Sequence, residues 1–209
     1  MAYTVQPLGP ATWDLFAELV ERNNGVYGGC WCIAYHPPRP AGVTNREAKL
    51  ERVRSDAAHA ALVLDDDGRA QGWAQYGEPD ELAGFKHRRE YEKDAPPRPD
   101  WRIACIFVDR QHRQRGVARA ALGGALALVG EAGGGLVEAI SEVTAGRQAQ
   151  PRFLFSATVE LFEEHGFTRG RPVGKHAWVV SRTVAPVAPP GPLATSSAGR
   201  GRDAGTDPA

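Results

Sequence analysis

Residues 106–120 bring together the groups best suited to chemistry. The apolar run Ile106-Phe107-Val108 leads into Asp109-Arg110-Gln111-His112-Arg113-Gln114-Arg115, followed by the small-residue step Gly116-Val117-Ala118 and then Arg119. The periodicity of Leu122, Leu126 and Val129 predicts a helix opening at Gly116. A helix start leaves its first backbone N–H groups unpaired and carries about half a positive charge. With Gly116 and Ala118 keeping bulk away, those N–H groups can close on a diphosphate. Arg113, Arg115 and Arg119 add permanent charge of a geometry suited to phosphate oxygens. The pattern predicts an anion cradle at the end of a strand.

Other reactive groups are scattered. Cys30-Trp31-Cys32 precedes Tyr35-His36 and a proline-rich run, Pro37-Pro38-Arg39-Pro40. Two cysteines with a nearby histidine suggest zinc, but no fourth ligand has recognisable spacing, so no metal is expected. Cys105 sits in the strand before the cradle, where it reads either as a nucleophile or, more simply, as a small buried hydrophobe. Lys86, His87, Arg88 and Arg89 form a basic run, yet residues 77–100 hold more acids than bases, which reads as a solvated loop.

The elements that must position the cradle follow from the pattern. Tyr3 to Leu8 reads as an edge strand, and Trp13, Phe16 and Val20 as a helix stopped by Asn23-Asn24-Gly25. Thr44-Asn45-Arg46-Glu47 is a capping box opening a helix to about Ser55. Ala60 to Leu64 and Arg69 to Tyr76 form a hairpin about Asp66-Asp67-Gly68. A short helix is expected near Glu81 to Phe85, then a strand over Trp101 to Val108, the cradle, and a helix to Glu131. A strand over Leu136 to Ile140, a helix over Ser156 to His165 and closing strands over Thr168–Val173 and His176–Val180 complete the order. From Val184 the chain is rich in Ala, Pro, Gly, Ser and Thr without an aromatic residue, and a disordered tail over 184–209 is expected.

Composition narrows the classes. The 209 residues suit one domain, and 42% hydrophobic residues suit a packed core. The 25 Lys and Arg cancel the 25 Asp and Glu, which argues against a nucleic-acid or membrane-surface partner. Three cysteines cannot build a disulfide framework, and no signal peptide or membrane span is visible, so a cytoplasmic location is expected.

Arg113-x-x-Gly116-x-Ala118 resembles the (Gln/Arg)-x-x-Gly-x-(Gly/Ala) signature of the GNAT acyl-CoA acyltransferase superfamily. Its context matches too: strand before, helix after, second strand, then Glu163-Glu164-His165-Gly166-Phe167, similar to the family's helix ending in Gly-Phe. The resemblance spans residues 1–183 and is strongest over 101–182. Some bacterial members carry a similar Cys-Trp-Cys segment.

The resemblance implies a single α/β domain with a twisted, mostly antiparallel sheet splayed at the cofactor strand and about four flanking helices. It implies an acetyl-CoA-dependent N-acetyltransferase acting on a small-molecule amine, as a monomer or homodimer. Ile106, Phe107 and Val108 would offer backbone to the pantetheine arm. Arg113, Gln114, Arg115, Gly116, Val117 and Ala118 would wrap the diphosphate, with Arg119 reaching a phosphate. Trp31 and Tyr35 would line the acceptor pocket. Glu138, with Glu142 and Tyr76 as other candidates, would serve as general base. Family members often carry a tyrosine acid four residues before the helix-ending glycine; here that position is Phe162, and Ser156 or Thr158 are conceivable stand-ins. Alternatives are a non-catalytic acyl-CoA-binding regulator, favoured by Phe162, and a protein N-acetyltransferase.

Overall fold

The computed structural model describes residues 2–94, 97–144, 146 and 155–187. The elements run β1 (Thr4–Pro7), α1 (Trp13–Arg22), α2 (Asn45–Arg54), β2 (His59–Leu64), β3 (Ala70–Gly77), α3 (Arg88–Lys93), β4 (Trp101–Val108), α4 (Val117–Glu131), β5 (Gly135–Glu142), α5 (Val159–Glu164), β6 (Thr168–Pro172) and β7 (Ala177–Val184). The strands form one open sheet in the order β1-β2-β3-β4-β5-β7-β6. Every pairing is antiparallel except β4 with β5, which α4 joins by a crossover. This is the mixed, mostly antiparallel architecture expected, with five α-helices among the described residues.

Local signals place most elements. The Thr44 hydroxyl accepts from Glu47 N–H at 3.2 Å while the Glu47 carboxylate accepts from Thr44 N–H at 2.8 Å, completing the box that starts α2. Gly68, at φ 75°, closes the β2–β3 hairpin. The short helix, however, forms at Arg88–Lys93 and not near Glu81 to Phe85. There, Gly84 N–H donates to Tyr35 O at 2.9 Å, and Glu81 is drawn to β2 by His59 N–H at 2.9 Å. Tertiary bonds hold that stretch as a turn, overriding its local tendency. Of the tail expected over 184–209, residues 188–209 lie outside the described residues, while Val184 closes β7 and Val187 N–H donates to Gly130 O at 2.9 Å.

The sheet buries both faces. On one, α4 sets Val117, Leu122, Leu126 and Val129 against Ile103, Ile106, Val137 and Phe162. On the other, α1 and the 26–36 loop pack Phe16, Val20 and Trp31 over Leu62, Trp73 and Phe107. Trp73 is fully buried, stacked at 4.6 Å on Phe107.

Strand β4 is irregular on both sides. Gln75 pairs with Cys105 but Tyr76 with Ile103, so Ala104 is an extra residue, a bulge. Beside it, the β4–β5 ladder holds only Trp101–Val137, Arg102–Glu138 and Ile103–Ala139, and the strands then part. Gly72 on β3 lets α4 settle over this region. A Cβ there would stand 2.5 Å from Phe107 O and 2.7 Å from Val117 Cγ1. Gly72→Ala is expected to cost about 1–3 kcal/mol by pushing α4 off the sheet. Gly123→Ala, whose added Cβ would meet only His165 Nε2 at 3.8 Å, is expected to gain about 0.5–1 kcal/mol from helix propensity. Denaturant unfolding of the two variants checks both signs.

Candidate active site

The parting of β4 and β5 opens a cleft of about 560 Å³, bounded by Ile106, Val108, Arg113, Val117, Thr158 and Leu161. Asp109 N–H reaches back to Gln71 O on β3 at 2.9 Å, so by alternation Ile106 and Val108 direct their N–H and C=O into the opening. Ile106 N–H donates there to Phe155 O at 2.7 Å. Phe107 differs. Its carbonyl faces β3 and its ring stacks on Trp73, so it offers the opening no backbone.

At the far end of the cleft the turn is built as the residue types dictate. Asp109 caps a short 3-10 turn over Arg110–His112, accepting from Gln111 N–H at 2.9 Å. The same carboxylate is gripped by Arg22 Nε at 3.0 Å and Asn23 Nδ2 at 3.1 Å from the end of α1. Burial opposes its ionisation, but these bonds outweigh that and hold its pKa below the usual carboxylate value. Gly116 takes φ 85°, which only glycine adopts cheaply, and open space surrounds it. The first intrahelical bond is Ala120 N–H to Gly116 O at 3.0 Å, which leaves the amides of Val117, Ala118 and Arg119 as the orphan donors of the helix start.

The arginines divide. Arg113 and Arg119 line the cleft, whereas Arg115 is exposed outside its wall. Arg119 is engaged by Glu164 through Nε–Oε2 at 2.7 Å and Nη2–Oε1 at 2.9 Å, a bidentate pair tying α4 to α5. The spacing that put three guanidinium groups around one point could not show that an acid on α5 claims the third. His112 and Tyr27, which sequence reasoning missed, also line the cleft.

A second, narrow cavity of about 30 Å³ lies at the fork itself, beside Ile103, Ala104 and Ala139. Tyr35, Phe85, Lys86, Arg102, Glu138 and Ser156 contribute to it. Glu138 is 4% exposed, and burial raises its pKa against the pull of Tyr91, Arg102 and Arg171. Phe155 touches residues of both cavities. Its ring lies 6.0 Å from those of Tyr27 and Tyr35 and 3.8 Å from Lys86 Nζ.

The remaining candidates fall elsewhere. Tyr76 is buried against Trp101 and His59 and lines neither cavity. Trp31 stacks on Trp13 at 6.0 Å in the core, so of the two lid aromatics only Tyr35 meets the fork. Phe162 is fully buried, edge-on to Phe167 at 4.9 Å. Thr158 caps α5, accepting from Leu161 N–H at 3.3 Å. Among the described residues no group of three His, Cys, Asp or Glu is placed to hold a metal, and no helix is long and apolar enough to cross a membrane.

Residues 30–167 match the model of the GNAT acetyltransferase family. The chain belongs to that family. It is therefore an acyltransferase, and members of this family use acetyl-CoA. The sequence matches no curated protein. Solved structures of the same fold include one described as histone acetyltransferase HPA2 and related acetyltransferase from Corynebacterium glutamicum, 18% identical, covering 90% of this chain and 99% of that one with a TM-score of 0.52. A GNAT-family acetyltransferase from Desulfovibrio desulfuricans is 16% identical, covering 88% and 100% with a TM-score of 0.53. A phosphinothricin acetyltransferase from Sinorhizobium meliloti, solved in complex with AcCoA, is 15% identical, covering 88% and 90% with a TM-score of 0.50.

Behind the fork, this GNAT chain carries a buried polar knot. Lys49, fully buried, places Nζ 3.1 Å from His36 Nε2, and Gln75 Nε2 donates to the same nitrogen at 2.7 Å. Gln75 also donates to Cys32 O at 3.0 Å and accepts from Cys32 Sγ at 3.0 Å. Burial, reinforced by the charges of Lys49 and Arg52, pushes His36 down to about 2. Burial likewise lowers Lys49. A histidine neutral in the fold but protonated once unfolded binds fewer protons in the native state, so its contribution is present above the unfolded pKa of about 6.5 and lost as pH falls toward 2. Acidification below pH 6.5 is expected to destabilise the protein by up to about 1.4 kcal/mol per pH unit through this group. Urea unfolding between pH 7 and 4 should show that slope diminished in His36→Gln.

Proposed function

We propose that the protein transfers an acetyl group from acetyl-CoA directly to the amine of a small-molecule acceptor. The observation that carries this reading is a cleft running along the edge of Ile106 and Val108 that β5 leaves unpaired, and ending on the unpaired amides of Val117, Ala118 and Arg119. Such an edge pairs an amide-bearing arm, and such amides hold a diphosphate. The residues present fit coenzyme A, and the neighbouring fold from Sinorhizobium meliloti was solved with AcCoA. The narrow fork cavity, walled by Tyr35 and Phe85, favours a small acceptor over a folded protein chain.

In this reading the acceptor amine enters at the fork, where Glu138 takes its proton. Burial raises that carboxyl toward the range in which a base works near neutrality. The neutral amine attacks the thioester carbonyl, the C–N bond forms, the C–S bond breaks, and the proton lost by the acylated nitrogen passes through solvent to the departing thiolate. A preorganised strand amide facing the opening, that of Ile106 or Val108, supplies charge stabilisation at the carbonyl oxygen. Ile106 N–H becomes available when it exchanges Phe155 O for substrate.

The non-catalytic reading keeps one specific support, since Phe162 has no proton to give the leaving thiolate. Thiol release across an amine panel separates the two, because a regulator binds acetyl-CoA without releasing thiol. Arg113→Ala is expected to weaken acetyl-CoA binding about 10-fold, while Arg115→Ala, outside the cleft wall, changes it less than about 3-fold. Isothermal titration measures both. Glu138→Gln is expected to lower kcat by about 10²–10⁴-fold. It should also abolish the rise of kcat with pH that deprotonation of a raised carboxyl produces; an unchanged profile removes Glu138 as base.

A further inference from the structure

The fork cavity is not built for a plain amine. A site for a polyamine or a lysine side chain would be ringed by acids, yet two of its three charged side chains are cations. Arg102 and Glu138 are register partners on the adjacent parallel strands, so they stand side by side on one face of the sheet. Arg102 lays its guanidinium over the Phe85 ring at 4.3 Å and spends one donor on Leu82 O at 3.3 Å. Among the described residues no carboxylate lies within 4 Å of it. Lys86 leans over Phe155 with Nζ at 3.8 Å from the ring centroid, and its ion pair with Glu142 is long, 3.7 Å. The cavity thus presents one buried acid flanked by two cations on aromatic faces, with Leu82 and Ile140 as apolar wall.

We propose that the acceptor is an amino acid, whose carboxylate is held by Arg102 and Lys86 while its amine faces Glu138. Planar guanidinium donors suit a carboxylate, and stacking on Phe85 fixes their plane. An anchored carboxylate also sets the direction from which the amine approaches, which is the positioning a direct transfer needs. The cavity, about 30 Å³, is smaller than an amino acid, so the turn that carries Phe85 and Lys86, tied to Tyr35 through Gly84 N–H to Tyr35 O at 2.9 Å, shifts outward on binding with both side chains still facing the ligand. The apolar wall fits an amino acid with an uncharged side chain. A cationic polyamine would place a second positive charge against Arg102 and Lys86, and is excluded on the same grounds.

The inference rests on the acetyl-transfer reading, and one experiment separates their fates. The full chain is first titrated with acetyl-CoA alone by thermal shift. Thiol release is then followed with matched probes that differ only in the carboxylate: leucine against isopentylamine, methionine against 3-(methylthio)propylamine, phenylalanine against phenethylamine, with spermidine alongside. At least one amino acid is expected to exceed its decarboxylated partner in kcat/KM by about 10–100-fold, the discrimination a charged anchor supports. Arg102→Met is expected to bring that ratio toward one, chiefly through the KM of the amino acid, with Arg102→Lys intermediate. Equal or better use of the decarboxylated amines or spermidine overturns the inference while leaving acetyl transfer standing. So does an Arg102→Met protein that loses both members of a pair in equal proportion, since that marks a structural role. Lack of turnover of every amino acid by a protein that binds acetyl-CoA overturns it too. Failure to bind acetyl-CoA at all removes the reading beneath it.

Discussion

The early end of the β4–β5 ladder is the constraint on which the rest of the molecule turns. Three residue pairs hold the strands together, and beyond Ile103 and Ala139 their backbone groups must find other partners. An unpaired strand edge inside a domain is costly unless something satisfies it. Here Ile106 N–H takes Phe155 O, and the Ala104 bulge bends the strand at the point where pairing ceases. The exposed edge, the cleft beside it and the cavity at the fork are three consequences of one interrupted set of hydrogen bonds.

Around that interruption the fold arranges two kinds of charge. At the cleft's outer end they are backbone dipoles, fixed by Gly116 and steadied through Asp109 to Arg22 and Asn23 on α1. At the fork they are side chains whose behaviour depends on burial, with Glu138 raised and Arg102 flattened on Phe85. The two ends differ in kind: one carries fixed backbone dipoles, the other side chains whose charge depends on burial. Phe155 contacts both sides, through Tyr27 of the cleft and through Tyr35 and Lys86 of the fork cavity.

Legibility in the sequence tracks the range of the forces involved. Elements set by local chemistry stood out: the Thr44–Glu47 box, the Gly68 turn, and the strand, arginine-rich turn and helix of 101–131. Features set by distant partners did not. Nothing near Arg119 announces Glu164, 45 residues on, and nothing in Glu81–Phe85 announces that Tyr35 and His59 hold that stretch out of a helix. Trp31 and Tyr35 look alike as lid aromatics, but the left-handed backbone at Trp31, φ 49°, turns its ring into the core beside Trp13. Glu138 was legible as a candidate through its strand, whereas its Arg102 neighbour depends on parallel register, which no pattern of residues reveals.

Because α4 is the crossover between two parallel strands, its first turn necessarily sits at the far end of β4 from the fork. The stretch from Ala104 to Val108 then works as a gauge. At about 3.3 Å per residue it sets roughly 13–17 Å between the fork and the end of β4 that leads into the first turn of α4. Under the proposed reading, a thioester carried on a stub too short for that span would satisfy one end or the other, not both. On that reading the strand sets a length requirement on the donor before any side chain inspects what the donor carries.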